Sequence, residues 1–371
     1  MSENRTDVVA LTRRLVSIPS YEDETAAGDA IEKWLRTETD ADVTRDRHGN
    51  VVARRGAGAT SLALVGHHDV VEPDASQVAS SGTTEKGDTK YAVDERDGRL
   101  YGRGTADMKG SLAAAMLAFR DADPAGELVF ASFVGEEQGG VGARAAIEDG
   151  FAPDYAVVGE GSTNYAGENQ TDVVVAHRGR RGSTITARGA AAHASEPETG
   201  ENAVYRACDA VSAVRDLDAP DATVLGRTLT GSVVVTEIDG GSAWNVVPDT
   251  CTVTVDERTV PSERAHLERV EEIDGVEWAI DQDLPPMACD EAAFADAALA
   301  AADAAQTATP ERVTKPHATD AGWLAAAGAT CVVAGASEPG EAHTANESVS
   351  IEALARCRRL YQNLAERWPS R

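Results

Sequence analysis

A chain of 371 residues with 62 acidic against 34 basic side chains carries a formal charge of −28, which excludes a nucleic-acid-binding surface, because neutralising phosphates takes clustered lysine and arginine. Lysine occurs only at Lys33, Lys86, Lys90, Lys109 and Lys315; an acidic, lysine-poor chain of this kind suits concentrated salt, where carboxylate repulsion is screened. Cysteines are scattered without a CxxC, no apolar run approaches the roughly 18 to 20 residues that cross a bilayer, and the start MSENRTDVV has no signal-peptide design, so a cytoplasmic protein with no membrane partner is expected.

The length accommodates two domains with a core each. Apolar positions at helical spacing run from Asp7 to Ile18 and from Thr25 to Leu35, and short strands surround a Gly49-Asn50 turn. Ser61 to Val65 is a buried strand that delivers Gly66-His67-His68-Asp69. A histidine with an aspartate two residues later is a recurrent metal arrangement, in which the carboxylate fixes the tautomer of the ligating ring. A polar stretch, Glu72 to Gly98, reads as a surface loop. It leads into Gly102-Arg103-Gly104-Thr105-Ala106-Asp107-Met108-Lys109-Gly110 before an Ala-rich helix, Ser111 to Phe119. Asp107 is there either displayed by its glycines or an ordinary helix N-cap.

Leu128 to Val134 has the nearly unbroken apolar character of a strand buried on both faces, and it ends in Gly135-Glu136-Glu137. Two adjacent carboxylates repel unless a cation or shared proton compensates them; the pair reads as one metal ligand and one general base, or as a solvated start to a surface helix. Tyr155 to Val158 is a further short strand, followed by Gly159-Glu160-Gly161. His67, Asp107, Glu137 and Glu160 make a thiolate-free set suited to Zn²⁺, Co²⁺ or Mn²⁺.

From about residue 173 to 284 alternating strands around a helix at Asn202 to Leu217 suggest an inserted α+β domain. The expected division is 1–172 and 285–371 for a catalytic α/β domain, with a mixed, mostly parallel sheet between helices, and 173–284 for the insert.

In this order, Gly66-His67-His68-Asp69, the run from Gly102 to Gly110, Gly135-Glu136-Glu137, Gly159-Glu160 and a late His343 resemble the acetylornithine deacetylase and succinyl-diaminopimelate desuccinylase family of dinuclear zinc aminoacylases and metallopeptidases. The resemblance covers nearly the whole chain. It implies a zinc-peptidase-like fold and two zinc ions per subunit, with Co²⁺ or Mn²⁺ as substitutes. Asp107 then bridges the ions, His67 and Glu160 complete one, Glu137 and His343 the other, Asp69 orients His67, and Glu136 is the general base. The implied reaction is hydrolysis of the amide of an N-acylated amino acid, of N-succinyl-diaminopimelate or N-acetylornithine type, with di- or tripeptide cleavage and an inactive metal-free relative as alternatives.

In the insert, Gly189 to Pro197 resembles the family segment whose histidine, here His193, reaches a neighbouring subunit's site, which implies a homodimer through the insert. Asn245 and Arg258 match positions that bind the substrate carboxylate, and Arg180 with Ser183 resembles the desuccinylase branch. The chain departs from the pattern at Gly161, where proline is usual, at His68, a candidate competing ligand, and in the polar segment 76–91. If the acidic surface is an adaptation to salt, the melting temperature rises with KCl in the molar range; a midpoint that stays flat or falls counts against it.

Overall fold

A computed structural model describes residues 2–79 and 90–368; much of the polar segment 76–91, namely 80–89, lies outside the described residues. The chain divides into two units. One comprises Met1–Ala176, Ala288–Lys315 and Thr319–Arg371, and the other His177–Met287 with Pro316–Ala318.

The first unit is built on a sheet that has nine strands among the described residues. In chain order its main elements are α1 (Ser2–Val16), α2 (Thr25–Glu38), β1 (Asp42–Arg45), β2 (Val51–Arg55), β3 (Ser61–His67), α3 (Gly110–Asp121), β4 (Glu127–Phe133), α4 (Val141–Glu148), β5 (Tyr155–Val158) and β6 (Val173–His177). After the second unit come α5 (Ala292–Ala305), α6 (Asp320–Ala326), β7 (Thr330–Val333) and α7 (Ile351–Arg367). The strands lie in the order β1-β2-β4-β3-β5-β7-β6. β4, β3, β5 and β7 are mutually parallel, and β1, β2 and β6 join antiparallel.

Every residue of β3 and all but the first of β4 are buried, which is why their sequences are continuous apolar runs rather than alternations. Helices α1, α3, α5 and α7 pack on one another, with α3 also against β3 and β4, while α6 packs on α4, β5 and β7. No helix among the described residues is long and apolar enough to cross a membrane.

The second unit is a four-stranded antiparallel sheet in the order Ser232–Gly240, Thr250–Arg258, Arg180–Arg188, Val276–Leu284. The helix Ala203–Arg215 covers one face, burying Ala203, Ala207, Ala210 and Val214 against Ile185, Val253 and Val255. Asn202 caps this helix by accepting the Val204 N–H at 2.9 Å, as expected of asparagine at that position. Residues Val173 to Ala176, expected to open the insert, belong instead to the large sheet as β6. Four successive buried residues there are the mark of an internal strand of that sheet.

The turn after β4 is held from the opposite hairpin. Asn50, fully buried, accepts the Val134 N–H at 3.0 Å and donates to the Gly142 carbonyl at 3.0 Å. Both groups flank Gly135-Glu136-Glu137, so Asn50 closes that loop onto the sheet. Asn50→Ala leaves the buried Val134 N–H without its partner, and should cost about 1 to 3 kcal/mol in urea unfolding of the intact chain; a loss under about 0.5 kcal/mol would show that water replaces the side chain.

Candidate metal centre

Parallel strands deliver their last residues to one edge of a sheet, and open α/β sheets place their chemistry there. His67 is the last residue of β3, Glu136 and Glu137 follow β4, and Glu160 follows β5; these strands are neighbours in the order β4-β3-β5. Asp107 arrives in the segment before α3, and His343 in the loop between β7 and α7. A side chain at Gly66 would sit 2.5 Å from Met108 Cε, and one at Gly159 2.8 Å from the same atom. Glycine at both strand ends thus lets Met108 lie across them and hold Asp107 above.

The groups form two clusters that share Asp107. His67 Nε2 lies 3.1 Å from Asp107 Oδ1 and 3.2 Å from Glu160 Oε1. His343 Nε2 lies 3.2 Å from Asp107 Oδ2 and 2.9 Å from Glu137 Oε1. Ligand atoms of His67, Asp107 and Glu137 fall within 4.8 Å of one another, as do those of His67, Glu136 and Glu160. The other ring nitrogen of His67 faces Asp69, with Nδ1 3.2 Å from Oδ1. Asp69 also accepts the N–H of Glu136 at 3.1 Å on Oδ1 and that of Glu137 at 3.0 Å on Oδ2.

Electrostatics reflect the crowding. Burial opposes protonation of His67, but Asp107, Asp69 and Glu160 outweigh it and hold its pKa well above the ordinary value. Hydrogen bonds to Asp107 and Glu137 push His343 up to about 10. Burial raises Glu136 well above the usual carboxylate range and raises Glu137 as well. Burial also favours protonation of Asp107, yet the bonds to His343 and His67 bring its pKa down. Positive charge is thus demanded at two places, beside each histidine. A thiolate-free N/O set converging in this way fits two borderline divalent cations.

His68 does not join the set. Adjacent residues at a strand end face opposite ways, and His68 is buried with Nδ1 2.8 Å from Ser132 Oγ. Burial brings its pKa down to about 3, so it is a neutral core histidine and no competing ligand. At Gly161, a side chain would meet Ser337 Cβ at 2.7 Å; the loop packs too closely there for the proline seen in the resembling motif. The Gly161 carbonyl accepts from Lys315 Nζ at 2.9 Å, and Lys315 stands 3.8 Å from Glu160 Oε2.

In the second unit, residues 192–193 pair with 246–247 and the Ala194 N–H donates to the Asn245 carbonyl at 2.9 Å, which brings the His193 and Asn245 segments together. His193 is exposed, with Nδ1 2.6 Å from Ser195 Oγ. Arg258 and Arg180 converge on one internal carboxylate: their Nε atoms lie 2.7 and 2.8 Å from Asp256 Oδ1 and Oδ2. Ser183 is not with them. It is fully buried with Ile185 and Ala187 on the helix-covered face, and strand alternation puts it on the side opposite Arg180, so the two do not form one anion clamp.

Sequence reasoning passed over Asp320, Glu347 and Lys315. Asp320, at the start of α6, is buried with neither carboxylate oxygen hydrogen-bonded among the described residues, and burial raises its pKa to about 7. Glu347 is buried and paired with Arg103. An acid four residues after His343, in the run His343-Thr344-Ala345-Asn346-Glu347, was the available signal.

Residues 63–367 match the model of peptidase family M20/M25/M40. A probable succinyl-diaminopimelate desuccinylase from Staphylococcus epidermidis is 31% identical over 247 residues, a match that spans only 58% of either chain. The acetylornithine deacetylase of Myxococcus xanthus is 31% identical over 330 residues, covering 83% of this chain and 81% of its own. Among solved structures, the aminopeptidase PepT of Bacillus cereus superposes with a TM-score of 0.78 at 21% identity, covering 98% of both chains. A dinuclear metal-binding peptidase of the M20 family from Bacillus subtilis does so with a TM-score of 0.72 at 17% identity over 98% of both; at these identities the two share the fold. With its family model matched over most of its length and its acids and histidines gathered at the carboxyl edge of the sheet, the chain belongs to peptidase family M20/M25/M40.

Proposed function

We propose that the protein hydrolyses the amide bond of an N-acylated amino acid at a dinuclear zinc centre formed by His67, Asp107, Glu137, Glu160 and His343. The observation that carries this reading is the split of Asp107, whose two oxygens face different histidines, each of which meets a further carboxylate. A bridging ligand needs that disposition, and an ordinary helix cap does not. Cobalt or manganese suits the same donors.

Bound there, two divalent cations supply Lewis acidity that acidifies a water and polarises the scissile carbonyl. The residues do the rest. Asp69 holds His67 by its Nδ1 and keeps Nε2 free to ligate. Glu136, whose basicity burial raises, takes the proton of the attacking water and returns it to the leaving nitrogen. No serine or cysteine nucleophile is required.

Motif matches in the second unit supply the substrate contacts of this reading. Arg258 and Asn245 take the substrate carboxylate, a role that suits the planar fork of arginine, and His193 polarises the acyl carbonyl from a second copy, so the working species is a cytoplasmic homodimer. The names of the relatives favour succinyl-diaminopimelate or acetylornithine as the substrate type; those of the solved neighbours make short peptides the competing class.

Metal analysis should find about two zinc ions per chain, and chelation should abolish turnover that Zn²⁺ or Co²⁺ restores; active protein with no bound metal would sink the reading. Glu136→Gln should keep both ions while losing roughly 10²- to 10⁴-fold in kcat. A panel of N-succinyl-diaminopimelate, N-acetylornithine, other acyl amino acids and di- and tripeptides in high salt assigns the substrate, and a preference for peptides overturns the deacylase assignment.

A further inference from the structure

We propose that Glu347 is a positioning residue that sets the bridging geometry of Asp107 by filling a nest of three backbone amides with one carboxylate oxygen. The inference rests on the dinuclear reading above. Glu347 Oε1 accepts the N–H of Gly104 at 2.9 Å, of Ala106 at 2.9 Å and of Asp107 at 3.1 Å. Its Oε2 takes Arg103 Nη1 at 2.6 Å, and its backbone carbonyl accepts the Gly102 N–H at 3.0 Å. Glu347 and Arg103 are both buried.

Three amides can point at one atom only if the chain from Gly104 to Asp107 wraps around it, and Gly104 has the left-handed backbone, φ +87°, that such a wrap requires. Convergent amides of this kind make an anion site. Here the anion is a side chain from more than two hundred residues away, so the site belongs to the fold and not to a ligand. One of the three amides is that of Asp107 itself, which fixes the bridging residue at its own backbone. A carboxylate that serves two cations at once has little tolerance: functional groups must be held within about 0.5 Å.

The same residue is joined to the second histidine. Glu347 lies four positions after His343, and its N–H meets the Thr344 carbonyl at 3.3 Å. Glu347 therefore ties the loop that carries His343 to the loop that carries Asp107, and both residues flank the same cation. The other cation depends on His67, anchored at the end of a buried strand and by Asp69. Loss of the nest contact should weaken both ions through Asp107, and the ion beside His343 more, because the loop that carries His343 loosens with it.

A purely structural role for the buried Arg103–Glu347 pair makes the opposite demand on substitutions, and two conservative variants separate them. Glu347→Asp keeps the charge that Arg103 pairs with, but its shorter arm does not reach the three amides. Glu347→Gln keeps the reach and an accepting oxygen but removes the charge. In Co²⁺ titrations of metal-free full-length protein, Glu347→Asp should lose at least tenfold in affinity for the second ion, with an altered visible absorption for that ion and a smaller change for the first. Amide exchange at residues 104–107, measured without metal, should quicken in Glu347→Asp and stay slow in Glu347→Gln, whose second-ion affinity should remain within about threefold of wild type. Wild-type ion binding in Glu347→Asp, or a loss in Glu347→Gln as large as in Glu347→Asp, overturns the role of Glu347. Wild-type protein that takes up fewer than two ions overturns the dinuclear reading itself, and this inference with it.

Discussion

The structure is governed by the convergence of carboxylates at one edge of a parallel sheet. Asp69, Asp107, Glu136, Glu137 and Glu160 all gather around two histidines. Two like charges 4 Å apart repel by about 4 kcal/mol at the effective dielectric near a protein surface, so such a cluster persists only where each acid is compensated. The chain uses three devices. Asp69 and Glu347 are answered by backbone N–H groups and by His67 and Arg103 respectively; Asp107 is answered by both histidines; and the carboxyls of Glu136 and Asp320 are held towards their protonated forms by burial. Two cations complete the compensation in the proposed function.

What the sequence discloses follows from which forces are local. The buried strands β3, β4 and β5 are continuous apolar runs, and each hands its next residues to the site, so His67, Glu136, Glu137 and Glu160 can be read as strand-end residues without coordinates. Asp107 and His343 come from loops; the glycines around Asp107 marked it as a candidate with a helix cap as the equal alternative, and only the resembling motifs picked out His343. Glu347 offered only its place four residues after His343; its role was not legible, because its partners, the amides of Gly104, Ala106 and Asp107, are contributed by distant chain. The closing helix α7 was also passed over, although it buries Ile351, Leu354, Leu360 and Leu364. Ser183 went wrong for a different reason. A motif match carries the residue type but not the phase of a strand, and period-two alternation turned that hydroxyl into the core.

The second unit repeats the theme of charge compensation in milder form. Arg180 and Arg258 spend part of their donors on Asp256, whose Oδ1 takes Arg258 and whose Oδ2 takes both. Two positive charges against one negative leave a surplus of one, and the forks keep further N–H groups for a second acceptor. The pair is pre-oriented at the expense of part of its charge. In the proposed function, pre-orientation helps the Arg258 fork to meet a carboxylate in two-point geometry, since the ordering of a long side chain is then complete before any ligand arrives.

Adjacent glutamates in different surroundings are the sharpest consequence of this economy. Glu136 and Glu137 are equivalent by composition, and a turn of chain placed at random would expose both. Asp69 breaks the equivalence by taking the N–H of Glu136 on one oxygen and the N–H of Glu137 on the other, while Asn50 pins Val134 and Gly142 on either side. With the backbone held at four points, the two side chains leave in different directions: Glu137 reaches His343, and Glu136 stays within reach of His67 and Glu160. Burial raises both acids; the hydrogen bond to His343 offsets part of it for Glu137, and for Glu136 the charge of His67 offsets part while Asp320, Glu160 and Glu137 add to it. An acid that keeps its proton readily and an acid that meets a cationic partner are thus made from the same residue type one position apart, and the difference is written in which amide each presents to Asp69.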